Sequence, residues 1–401
     1  MSFTSIINLF KKGLGFSLFV DRQFWFEYEE YGFLGYARRE PESVNSGLKA
    51  LNFTFSYQFD NKFITQDLIL EIHKLSTEEV VTNSRDINYI ENLRKKMSES
   101  EFKEKRLDEH CIIKQGFRQS GVYFRIGCYQ PYKKEDCLLD LKSFKENNVK
   151  LAMSETGDLQ NEVFGNPQSF DEYIHALESY HHSIEFPKEE LALMSNDAYL
   201  FAVPELNPEK IQKRLEEICQ NYNEKILRCE SDEEKLRLIL KTVKDIELTH
   251  PFHDGNLRVS LILMQRLLVQ NNLKPTAFID PNKLDNLPVD VLIKDYYDGV
   301  SALERLEKRQ DQPFTKEKIV ENYHEQFAWD DPKEIHLAKQ IEDYYQLSEN
   351  ITEKLKKTDA NLNSKNEKSK MRKQFKQDTP TPLFSNANFD TANLAANAAE
   401  F

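Results

Sequence analysis

The segment SDEEKLRLILKTVKDIELTH, residues 231–250, runs directly into PFHDGNLRVSLILMQRLLV, residues 251–269. In the first, Leu236, Ile239, Leu240, Val243 and Ile246 recur three and four residues apart, which lines them along one face of an α-helix. Ser231 is placed to cap this helix, and the acids of its first turn suit the positive end of the helix dipole. In the second, Val259, Ile262, Leu263 and Leu267 repeat the spacing from about Asn256 onward, so a second, well-buried helix is expected. Two consecutive buried helices point to a mainly α fold.

The connection between them, HPFHDGNLR at 250–258, carries the chemistry. The free amides at the start of the second helix and its dipole make an anion site. Gly255 lets the backbone turn closely with positive φ. Asn256 brings a side-chain amide, and Arg258 a guanidinium that can fork onto phosphate oxygens. Asp254 beside an anion site calls for a cation between them, which Mg²⁺ held by one carboxylate and substrate phosphates supplies. His250, with an ordinary pKa of about 6.5, suits a general base. A plainer reading stays open: Asp–Gly–Asn is common turn chemistry, and a histidine at a helix end often only caps it.

The other segments are less specific. Composition allows a real core, at 39% hydrophobic and 11% aromatic over 401 residues, and the net charge of −13 makes nucleic acid a poor general partner. Five cysteines without a CxxC pair read as free thiols in a reducing compartment. No apolar run is long enough for a transmembrane helix. The N-terminus lacks the cleavage site of a secretory signal, and Thr4 to Lys12 reads as a short amphipathic helix with Ile6, Ile7 and Phe10 packed inward. Residues 1–60 form an aromatic-rich extension packed on the core, and FTFSYQF at 53–59 reads as a strand or extended segment. ITQDLILEIHKL at 64–75 has helical periodicity. GFRQSGVYFRIGCYQPY at 116–132 alternates apolar and polar residues between glycines and reads as a short strand or hairpin. Residues 138–245 look mainly helical. His181 and His182 are adjacent, so their side chains diverge and a metal role is disfavoured. After about residue 355 the chain is polar and rich in Asn, Lys and Ala, a composition that disfavours folding, and its basic run reads as a solvated tail.

The loop resembles the signature of Fic-domain proteins, H-x-F-x-D/E-G-N-G-R-x-x-R, at His250, Phe252, Asp254, Gly255, Asn256 and Arg258. GFRQSGVYFRIG at 116–127 is similar to the Gly-x-Arg element and β-hairpin flap that the family carries upstream. LEIHKL at 70–75 and residues 280–300 resemble its flanking helices. The resemblance implies a Fic-type helical bundle over 61–310 with a short hairpin flap; outside it the N-terminal region at 1–60, a helical extension at 311–354 and, from composition, a disordered tail at 355–401 are expected. It further implies that His250 deprotonates a Ser, Thr or Tyr hydroxyl of a target protein and that Asp254 holds Mg²⁺. Gly255, Asn256 and Arg258 would cradle the phosphate of ATP or another nucleotide diphosphate donor. Phe252 would be structural. Val122, Tyr123, Phe124, Arg125 and Ile126 would pair with an extended target segment by main-chain hydrogen bonds.

Two positions depart from the signature. Leu257 stands at its second glycine and Leu261 at its second arginine. In AMP-transferring members that glycine leaves room for nucleotide phosphates and that arginine grips the terminal one. The inhibitory S/T-x-x-x-E-G/N motif of many members is not found; SEFKEK at 100–105 has the Ser and Glu spacing, but Lys105 follows. AMP transfer from ATP is the first expectation, with phosphoryl or phosphocholine transfer as alternatives. The contrasting readings are a catalytically inactive Fic-like binding protein and a purely structural helical protein. A cytoplasmic location is expected, including that of a host cell reached as a bacterial effector.

Overall fold

A computed structural model describes residues 3–20, 42–57, 61–78, 207–280, 283–308 and 342–360 continuously, with shorter stretches at 116–118, 124–125, 150–154 and 199–203 and a few single positions. The chain divides into two units, Met1–Thr358 and Asp359–Phe401. Of the second, residues 359, 360 and 364 are described and are helical.

Helices dominate the first unit. They are α1 (Phe3–Lys11), α2 (Ser43–Ser56), α3 (Gln66–Thr77), α4 (Pro208–Ile226), α5 (Asp232–Thr249), α6 (Asn256–Gln270), the short α7 (Lys283–Asn286) and α8 (Val289–Lys308). A ninth helix, α9, occupies 342–358. A 3₁₀ turn at Gly15–Leu18 follows α1. α5 and α6 pack together at the centre: α5 is covered by α4, α7 and α8, and α6 by α2, α3 and the 3₁₀ turn.

The local reasons are visible. Ser231 forms a capping box with Glu234, which sets the start of α5. Thr65 accepts from the Leu68 amide at the head of α3. Asn207 caps α4, where Pro208 occupies the first turn and needs no hydrogen-bond partner for its nitrogen. α6 is buried nearly all round, so its polar side chains must find partners inside. Gln265 donates to the carbonyls of Leu18 and Thr276. Gln270 donates to those of Phe59 and Asn61. Arg266 donates to those of Thr54 and Tyr57 at 2.5 and 2.8 Å. These long side chains satisfy irregular backbone at the end of α2 and beyond, and so tie N-terminal segments to the central helix.

Three expectations change. The run at 53–59 is not extended: α2 continues to Ser56, because Leu48, Leu51 and Phe55 supply a buried helical stripe that outweighs the β-propensity of Phe and Thr. The region 138–245 is not uniformly helical. It contributes β2 (Lys150–Ser154) and β3 (Tyr199–Val203), which pair antiparallel, and β1 (Phe124–Arg125) completes a sheet of order β1-β3-β2. The first residues of the expected tail are not irregular, since 355–358 are helical with Leu355 buried; most of the remainder lies outside the described residues. The amphipathic helix at the N-terminus is α1, with Ile6, Ile7 and Phe10 buried. Among the described residues no helix is long and apolar enough to cross a membrane.

Candidate active site

The 250–258 loop joins α5 to α6 and is held from three sides. His250 ends α5 in the left-handed conformation, with φ 45° and ψ 61°. Such a position favours glycine or asparagine, and another residue there costs on the order of 1 kcal/mol. The His250 amide donates to the carbonyls of Ile246 and Glu247. The last carbonyls of α5 are then taken by Arg118. Its Nε donates to the His250 carbonyl at 2.5 Å, and a terminal nitrogen lies 3.5 Å from that of Thr249. The Arg118 amide donates to Pro251 at 2.9 Å. A buried guanidinium at the negative end of a helix serves as both hydrogen-bond partner and counter-charge.

Phe252 is fully buried. It bridges to Phe117, and its ring stacks on His73 with centroids 3.8 Å apart. His73 Nε2 also lies 3.1 Å from the Asp254 carbonyl. Burial depresses the His73 pKa to about 4, so this imidazole is neutral at pH 7. Gly255 has φ 77°, and a Cβ there would lie 2.6 Å from Thr77 Cγ2. Two features therefore require glycine at this position.

Two residues expected at the phosphate have partners within the protein. Asn256 does not present a free amide to the loop. Its Nδ2 donates to the Phe252 carbonyl and its Oδ1 accepts from the Phe252 amide, closing the turn. Arg258 is buried and spent on protein partners. It donates to the Ser76 carbonyl at 2.8 Å, the Tyr36 hydroxyl at 3.3 Å and the Glu40 carboxylate at 2.7 Å. The reason is desolvation: a guanidinium enclosed by α3 and the N-terminal region must be neutralised and hydrogen-bonded on the spot. What faces outward is different. Asp254 is exposed, and one of its oxygens accepts from the Gly255 amide at 2.6 Å. The start of α6 has no side-chain cap. Leu257 is half-buried there, whereas Leu261 is buried.

The His250 imidazole lies between these features. Its side chain is 23% exposed, so one edge reaches solvent, and Nδ1 lies 3.7 Å from Oε1 of buried Glu247. Burial, helped by the Arg118 charge, lowers its pKa to about 4. The neutral ring present at pH 7 is the form that can accept a proton. Among the described residues no group of three or more His, Cys, Asp or Glu is arranged to hold a metal ion.

Of the flap residues, Phe124 and Arg125 form β1, paired with Ala202 and Phe201 of β3. Val122, Tyr123 and Ile126 lie outside the described residues, as do His181, His182 and the 100–105 segment. The pairing found is thus with a distant strand. Arg118 is the arginine of the Gly-x-Arg element, whereas Glu247, His73 and Glu40 were not singled out from the sequence. Glu247 carried a signal: it falls four residues after Val243, on the apolar face of α5, where a carboxylate is out of place.

A family model described as the Fic/DOC family matches residues 138–268, a span that includes the whole loop. The phosphocholine transferase AnkX of Legionella pneumophila is 27% identical over 288 residues, which cover 69% of this chain and 26% of AnkX. The chain therefore spans about a quarter of the length of that relative. Residues 138–268 of this chain are therefore similar to the Fic/DOC family, and within them the buried helix–loop–helix carries six signature positions with departures at Leu257 and Leu261.

Proposed function

We propose that this protein is a Fic-type transferase that moves a phosphate-containing group onto a Ser, Thr or Tyr hydroxyl of a target protein. The observation that carries this reading is the neutral, part-exposed imidazole of His250 across one tight turn from the uncapped amino end of α6. In the reaction, the target hydroxyl gives its proton to His250 as its oxygen bonds to phosphorus. The bond from phosphorus to the rest of the donor breaks, and that fragment leaves with the electron pair. Helix-start amides and the dipole of α6 stabilise the charge on the transferring phosphate. Asp254 fits Mg²⁺ binding in the mode that uses one carboxylate with donor phosphates and water, and the ion would neutralise phosphate charge. β1 lies at one edge of the described sheet, which suits main-chain pairing with an extended target segment.

The donor we favour is a diphosphate conjugate carrying phosphocholine, ahead of ATP. Leu261 brings no cation for a third phosphate, and Arg258 is already paired with Glu40. A site this poor in free positive charge suits a less anionic donor. The similarity to a phosphocholine transferase points the same way. AMP transfer, first in the sequence reading, becomes the second candidate. We place the reaction in a reducing compartment, the cytoplasm of the producing cell or of a host, in keeping with free Cys219 and Cys229.

The test is to incubate the purified chain with Mg²⁺, cell lysate and either CDP-choline or ATP, each labelled in the transferable group. Labelling of protein from CDP-choline is expected. His250→Ala should reduce it at least about a hundredfold, the usual scale for a general base, without lowering the melting temperature. Labelling that persists in His250→Ala would defeat the proposal. The same engaged arginine and the two leucines also favour an inactive nucleotide- or partner-binding role. Calorimetry that finds tight donor binding, together with no labelling from any donor, would select it.

A further inference from the structure

Within that reading, we infer that Glu247 is a positioning residue for His250, forming a carboxylate–imidazole pair that fixes the ring and stabilises it once protonated. Glu247 lies one turn before His250 on α5 and is 5% exposed, so its carboxylate cannot be satisfied by bulk water. Oε2 accepts from the Ser260 hydroxyl of α6 at 2.8 Å. Oε1 lies 3.7 Å from His250 Nδ1, within ion-pairing range and just beyond hydrogen-bond distance. The left-handed backbone of His250 folds the residue back over its own helix end and brings Nδ1 to this carboxylate. Arg118 is a further charged neighbour and donates to the His250 carbonyl.

The chemistry follows from which nitrogen is used. With Nδ1 directed at Glu247, Nε2 is the atom that takes the substrate hydroxyl. The hydroxyl proton moves to Nε2, and Glu247 itself neither gains nor loses a proton. Burial pushes the Glu247 carboxyl up to about 7, so the ionised form that the pair needs prevails above neutral pH; there the pair holds one buried negative charge before transfer, and imidazolium and carboxylate cancel afterwards. A low-dielectric setting favours that change. Burial acts in the same sense on each isolated group, pushing the carboxyl up to about 7 and the imidazole down to about 4.

The experiment is an NMR titration of the His250 imidazole in the full-length resting protein, wild type against Glu247→Gln. Glutamine keeps the size and the Ser260 contact, and an unchanged amide fingerprint verifies the fold. In wild type part of the imidazole response should appear near pH 7, where the pair takes up a shared proton, and that step should be missing in Glu247→Gln, leaving a lower midpoint. In transfer assays, kcat should drop about tenfold or more with the donor KM unchanged, and Glu247→Asp should recover part of the loss. An identical midpoint in the two proteins, or an unchanged kcat in Glu247→Gln, overturns the inference. If wild type transfers nothing from any donor, the functional proposal fails on its own, and the titration still decides whether the two side chains are coupled.

Discussion

Gly255 of the loop lies against the helix that carries His73 and Thr77, and Gly255 and His73 each make a sharp prediction. Gly255→Ala must place a methyl group against Thr77 Cγ2 and hold φ at 77°. The variant should lose about 1–3 kcal/mol in urea unfolding. Its transfer activity should fall further than its stability, because the displaced loop carries Asp254. His73 is 1% exposed and stacked on Phe252, and its folded pKa of about 4 lies below the ordinary 6.5. The unfolded chain therefore binds a proton that the native state refuses. The stability due to this group is complete above pH 6.5 and is lost as pH falls toward 4. Urea midpoints measured between pH 7.5 and 4.5 should decline for wild type, and more shallowly for His73→Phe if that variant keeps the stacking. Arg258→Ala should cost about 2–3 kcal/mol by leaving Glu40 and the Ser76 carbonyl without their cation. Its loss of activity must therefore be read against a thermal melt.

At the scale of elements, the site depends on how α5 ends and α6 begins. Arg118 closes the end of α5 from a segment far away in sequence, so Arg118→Met should strand two carbonyls while keeping most of the bulk. About 2 kcal/mol of stability should go, with a larger fall in transfer, measured on the same preparation. A change at the other end of the same helix is the control. Ser231→Ala removes the capping box and should cost about 1 kcal/mol while leaving the donor KM and kcat unchanged. The helices with regular apolar spacing were legible beforehand, because an amphipathic stripe follows from local sequence. β2 and β3 were not. Short strands inside a mixed, charged region carry no distinctive period, and their partners are set by the sheet rather than by neighbouring residues.

For the first unit as a whole, the N-terminal segment is a structural component and not an appendage. Gln265 of α6 donates to Leu18, the Tyr344 hydroxyl of α9 donates to Gly13, and Arg22 pairs with Asp298 of α8. Tyr36 and Glu40 reach the motif arginine itself. Deleting residues 1–20 should expose the faces of α6, α8 and α9 and leave Gln265 and Tyr344 without their Leu18 and Gly13 carbonyls. The truncated chain is expected to aggregate or to melt without a cooperative transition, read by circular dichroism and light scattering. A truncated chain that melts like wild type would show that this segment is dispensable.

The sequence alone determined the helix–loop–helix, its boundaries within a residue or two, and the set of motif residues, because periodicity, caps and a nine-residue motif are all local properties. Only the tertiary structure decided what several of those residues do. Asn256 and Arg258 read as open anion donors until burial against Phe252, Ser76 and Glu40 gave them internal partners. Glu247 read as an anomaly until folding set its carboxylate beside His250. Desolvation, hydrogen-bond satisfaction and charge pairing depend on which distant segments close over a side chain, and spacing along the chain does not encode that.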